Sequence, residues 1–108
     1  MDEYVIQELV LGLNSIYSNI LVRIILYGSV AKNISTAESD IDIAIILNAS
    51  STKKHEEALI DFIVDMNLKY NKVFSIIDID LSEFKKWENT LPFFINVKKE
   101  GVVLWTAA

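Results

Sequence analysis

The sequence predicts a small α/β domain of the α+β kind, a mixed sheet flanked by helices, and three observations carry that expectation. Stripes of apolar residues at helical spacing alternate with short β-branched runs, giving the order α-β-α-β-α-β-α. No stretch between them has the composition of a linker, an internal repeat or a low-complexity tract. Finally, 108 residues of which 52% are hydrophobic suffice for one core but not for two. The chain is therefore read as a single domain over residues 1–108.

Each element has its own signal. Between Tyr4 and Ile20, the residues Ile6, Leu9, Val10, Leu13, Ile16, Tyr17 and Ile20 recur at three-four spacing, which marks an amphipathic helix interrupted only by Gly12. Leu21 to Tyr27 is an apolar run broken only by Arg23 and stopped by Gly28, as expected of a buried strand. A small polar segment, 29–39, follows, with room for a helical turn at Val30-Ala31-Lys32. From Asp40 to Leu47, Asp40, Asp42 and Ala44 alternate with Ile41, Ile43 and Ile45, so a second strand carries both carboxylates on one face. Ser50-Ser51-Thr52 offers a cap for a helix over Lys53 to Tyr70, whose stripe is Ala58, Leu59, Phe62, Ile63, Met66 and Tyr70. Val73 to Asp80 is a third strand, and Leu81 to Trp87 reads as a short helix or an irregular turn. Phe93 to Lys99 looks helical between Pro92 and Gly101, and Val102 to Trp105 reads as a short edge strand or a packed tail.

Composition removes several function classes. A net charge of −5, with lysines scattered in the pairs Lys53-Lys54, Lys85-Lys86 and Lys98-Lys99, argues against non-specific nucleic-acid binding. The absence of cysteine removes disulfides, thiolate chemistry and Cys-based zinc sites. The acidic start Met1-Asp2-Glu3 lacks the basic region of a signal peptide, and no apolar run approaches the ~20 residues of a membrane span. The expected setting is cytoplasmic, without a membrane partner. The mean hydropathy of +0.33 hints at apolar surface facing a partner.

Chemistry concentrates in two segments. Leu26-Tyr27-Gly28-Ser29-Val30-Ala31-Lys32 ends a strand in a glycine that lets a phosphate approach the main chain, with the Ser29 hydroxyl and nearby backbone N–H groups as donors. By itself such a pair is most often a turn. Glu38-Ser39-Asp40-Ile41-Asp42 then sets two carboxylates side by side, where they repel unless a cation such as Mg²⁺ lies between them. Taken alone, a D-x-D of this kind is more often an exposed strand face.

Together, G-S-V-A-K and S-D-I-D-I-A-I resemble the signature of the DNA polymerase β-like nucleotidyltransferase superfamily, and within it the minimal nucleotidyltransferases. The resemblance runs from the first helix to the segment ending at Trp105. It implies that fold, Mg²⁺ as cofactor and a nucleoside triphosphate, ATP, as substrate. It implies that Gly28 and Ser29 hold the β- and γ-phosphates, that Asp40 and Asp42 ligate metal, and that Ser39 belongs to the nucleotide site. Lys32 stands where the family is often basic, so a phosphate contact and a solvated loop lysine are both open; Asn33 replaces a usual glycine. The family also implies a helical partner of the HEPN toxin class, for which this half is the antitoxin and can modify the toxin with AMP.

The third strand departs from the pattern. The family's third carboxylate falls most naturally on Ser75, whereas Asp78 and Asp80 alternate onto the opposite face unless a bulge re-aims them. Asp78 is the candidate third catalytic and metal-binding residue; the other reading leaves Ser75 in that place. Three functions follow: a nucleotidyltransferase acting on a partner's hydroxyl, a non-catalytic antitoxin that neutralises by complex formation, and a small-molecule transferase completed by a homodimer. His55 reads as a surface residue, Glu56-Glu57 as favourable charges at a helix start, and Tyr70, Trp87, Phe93, Phe94 and Trp105 as core or interface aromatics.

Overall fold

A computed structural model describes residues 1–32 and 40–108. Helix α1 (Glu3–Tyr17) leads through a short 3-10 turn into strand β1 (Leu21–Tyr27), followed by the one-turn helix α2 (Gly28–Ala31). Strand β2 (Ile41–Leu47), helix α3 (Lys53–Tyr70) and strand β3 (Phe74–Asp80) form a βαβ unit. Helices α4 (Leu81–Trp87) and α5 (Pro92–Glu100) and strand β4 (Val102–Thr106) complete the chain. The expected elements are all present, and the two open readings resolve as a helix at Leu81–Trp87 and an edge strand at Val102–Thr106.

The sheet order is β3-β2-β1-β4, with β1 antiparallel to both neighbours and β2 parallel to β3. The sheet is therefore mixed. Its two faces are both covered, which explains why β1 and β2 read as apolar runs with little alternation. On one face Leu9, Leu13 and Tyr17 of α1 and Met66 of α3 pack on Ile24, Leu26, Ile43 and Ile45. On the other, Phe84 of α4 and Val97 of α5 close over Ile25, Ala44, Ile46 and Ile79. Six of the seven β2 residues are buried, and Asp42 is the exception.

Local chemistry sets the boundaries. A Cβ on Gly12 would lie 2.2 Å from the Phe62 ring, so the glycine inside α1 marks the close approach of α3. Thr52 caps α3: its hydroxyl accepts from the His55 N–H, and its own N–H donates to His55 Nδ1 at 3.0 Å. The sole histidine thus completes a capping box and sits half-buried, its ring 5.2 Å from that of Tyr17, rather than standing free on the surface. At the end of β3 the Asp80 carboxylate accepts from the N–H groups of Ser82 (2.9 Å) and Glu83 (3.3 Å), which starts α4.

These hydrogen bonds, that of the Ser82 hydroxyl first, hold the Asp80 carboxyl below its ordinary range. A carboxylate whose pKa is lower folded than unfolded contributes stability above its unfolded pKa, and loses it as pH falls through the folded one. Asp80→Ala is therefore expected to lower the melting temperature at pH 7, with the difference shrinking toward zero below the carboxylate range. A difference that is constant with pH would show that the cap acts without its charge.

Candidate active site

The candidate site is assembled at one end of the sheet, where β1 finishes and β2 and β3 begin. Tyr27 is the register partner of Asp42 across the antiparallel pair, and Asp42 is the partner of Ser75 across the parallel one. Register partners share a face, so these three side chains form a row on the side covered by α4 and α5.

Gly28 turns the chain out of β1 with φ +75°, a region where L side chains are strained. A second constraint acts on the same residue. A Cβ there would stand 2.4 Å from Asp42 Oδ2 and 3.3 Å from its Cγ. The carboxylate packs directly on the bare Cα, so only glycine permits both the turn and the neighbour. The N–H of Lys32 closes α2 by donating to the Gly28 carbonyl at 3.2 Å, and Ser29 lies in that first turn, half-buried.

Partial burial, followed by the nearby charge of Asp40, pushes the Asp42 carboxyl above its ordinary range. Asp40 is itself exposed, one residue ahead of β2. The charge of Asp40 thus reaches the Asp42 carboxyl next to the glycine turn. Burial and then the Asp42 charge likewise push the Tyr27 phenol up. An all-oxygen donor set of this kind fits a hard cation shared with phosphate oxygens.

The third strand does not supply a third carboxylate here. Asp78 pairs with Ile45, three residues beyond Ser75 and on the α1/α3 face, about 10 Å along the strand from the Asp42 row. Its charge is felt instead by Tyr17. The β2–β3 register runs without a shift from Ile41/Phe74 to Leu47/Asp80, so no bulge re-aims it. The reading of Asp78 as a catalytic and metal-binding residue is corrected on that ground, and Ser75 holds the position beside Asp42. Among the described residues, no three His, Asp or Glu side chains come together to hold a metal.

Lys32 is neither free in solvent nor aimed at the carboxylates; its ammonium lies 2.7 Å from Glu100 at the end of α5. Ser39, assigned to the nucleotide site from the sequence, and Asn33 fall outside the described residues. Residues that sequence reading did not place here are Tyr27, Phe93, Asn96 and Glu100. Together with Gly28, Lys32 and Val97 they line a cleft of ≈ 220 Å³ between the glycine turn and α5. The signal was present in the i, i+3, i+4, i+7 spacing of 93, 96, 97 and 100, which falls on one helix face.

Comparison with known proteins agrees with this geometry. Residues 14–108 match the family model for polymerase beta nucleotidyltransferases. Over 104 residues the chain is 35% identical to the Methanocaldococcus jannaschii protein named "Putative protein adenylyltransferase", covering 96% of this chain and 98% of that one. Two solved structures share the fold at low identity. A toxin–antitoxin complex with AMP-PNP aligns with TM-score 0.64 and 17% identity, over 94% of this chain and 73% of that one. The tri-AMPylated Shewanella oneidensis HEPN toxin in complex with MNT antitoxin aligns with TM-score 0.60 and 16% identity, over 99% and 74%. With the family match spanning nearly the whole chain, and the glycine turn and paired aspartates meeting at the end of its sheet, this chain belongs to the polymerase beta nucleotidyltransferase family.

Proposed function

We propose that the protein is a Mg²⁺-dependent nucleotidyltransferase that moves AMP from ATP to a hydroxyl on a helical partner of the HEPN class, and so acts as an antitoxin. One observation carries the reading: the Asp42 carboxylate packed on the bare Cα of Gly28, with the Asp40 charge beside it. In this reading a phosphate at Gly28 and a divalent cation at Asp42 would be neighbours. The adenylyltransferase name of the M. jannaschii relative supports AMP as the transferred group, and the toxin–antitoxin complexes support the partner class.

In this reading Gly28 and Ser29 bind the phosphates through backbone N–H groups and the hydroxyl. Asp40 and Asp42 would hold Mg²⁺, which when bound neutralises the triphosphate and the departing pyrophosphate. The acceptor oxygen forms a bond to the α-phosphorus, the bond from that phosphorus to pyrophosphate breaks, and the acceptor's proton is released. Lys32, in an exposed ion pair of small net worth, can exchange Glu100 for a phosphate at little cost.

Ser75 supports a second reading. Its hydroxyl cannot accept a proton as a carboxylate would, so this row favours triphosphate binding over fast transfer. A protein of this design can neutralise its partner by complex formation alone.

Asp40→Asn and Asp42→Asn are each expected to abolish Mg²⁺-dependent transfer of label from ATP to the partner, with circular dichroism unchanged; full activity in the double variant would sink the proposal. The Asp42 carboxylate costs stability without metal. A carboxyl raised in the folded state favours folding below its unfolded pKa, and that contribution is lost as pH rises through the folded one. In EDTA at pH 7, Asp42→Asn is therefore expected to melt above the wild type, and the gap to close by about pH 3, below the ordinary carboxylate range.

Restoring a carboxylate through Ser75→Asp is expected to raise the transfer rate by about 10²-fold, the lower range for a positioned proton acceptor. Radiolabel transfer in the presence of the partner measures it. A tight complex with no label from either form would decide for the binding module.

A further inference from the structure

The cleft beside Gly28 extends from the glycine turn to helix α5. One wall is Gly28 itself, with Tyr27; the other is the face of α5 that carries Phe93, Asn96, Val97 and Glu100. The Lys32–Glu100 ion pair, 2.7 Å long, spans the far end. The cleft therefore lies between the glycine turn and one face of α5.

Phe93 is the unexpected member. An aromatic one residue into a helix would ordinarily be folded into the core, yet this ring stays 40% exposed. Two near-perpendicular neighbours fix its plane: Tyr27 at 5.6 Å between centroids and 89°, and Phe94 at 5.7 Å and 79°. Among the described residues, these contacts leave part of the ring accessible to a flat aromatic ligand. One turn further along the same helix face, Asn96 presents an amide with one acceptor and two donors. That pattern complements a purine carrying an exocyclic amine next to a ring nitrogen, the pairing by which asparagine reads adenine. Val97 supplies the apolar floor, and the ion pair closes the end with charge rather than with bulk.

The geometry points to this cleft as the seat of the nucleobase, with Phe93 as the stacking residue and Asn96 as the residue that sets preference for adenine. It rests on the proposed phosphate site at Gly28-Ser29, and it assigns α5 the selection of the nucleotide.

The test uses the full chain with Mg²⁺ and titration calorimetry, with ATP, UTP and baseless inorganic tripolyphosphate as probes. The wild type is expected to bind ATP about tenfold more tightly than tripolyphosphate, as one stacked base allows. Phe93→Leu, which keeps an apolar side chain, is expected to remove that advantage and leave tripolyphosphate binding unchanged. Asn96→Ala, at an exposed position, is expected to narrow the preference for ATP over UTP without altering the melting temperature. Equal wild-type affinity for ATP and tripolyphosphate overturns the inference, as does unchanged ATP binding in both variants or a parallel loss of both probes. Failure of ATP and tripolyphosphate alike to bind the wild type overturns the phosphate site, and the base cleft with it.

Discussion

The contact between the Asp42 carboxylate and the Cα of Gly28 is the constraint on which the rest of the site depends. It can form only because β1 and β2 pair in a register that sets Tyr27 opposite Asp42, so that the residue after Tyr27 passes over the carboxylate. A one-residue slip would turn Asp42 to the α1/α3 face and bring Ile41 or Ile43 into its place. The two helical layers oppose that slip, since Ile43 and Ile45 fill one core and Ala44 and Ile46 the other. Packing on both faces thus fixes the position of one charged group.

That fixed charge is costly in isolation. Partial burial and the nearby Asp40 raise the Asp42 carboxyl, and the row it stands in also contains Tyr27 and Ser75. Sites that bind charged ligands commonly hold such unfavourable groupings in place through surrounding structure, and ligand binding relieves them. Asp80 illustrates the opposite use of the same side chain. At the end of β3 its carboxylate accepts from the first turn of α4 and is held below its ordinary range. The two aspartates differ because one is partly buried beside another carboxylate and the other accepts from the Ser82 hydroxyl and N–H donors.

Much of the site was legible before any fold was known. The glycine after an apolar run and the D-x-D alternation are local signals, readable because strand periodicity and glycine's conformational freedom act over a few residues. The third position was less so. Alternation alone separated Ser75 from Asp78 and Asp80, but only the unbroken β2–β3 register excluded a bulge that would have re-aimed Asp78. His55 was misjudged for a related reason: it became a capping partner through a turn three residues back.

The sequence by itself determined the elements, their order, the family signature and the carboxylate pair, because each follows from spacing within one segment. Tertiary structure decided which strand end faces which. It made Gly28 indispensable to Asp42, placed Ser75 where a third carboxylate is expected, took Asp78 to the other side of the sheet, and opened a cleft under α5. The physical reason is that strand register and helix docking are set by the fit of two cores on opposite faces, a property of the whole chain that no single segment contains.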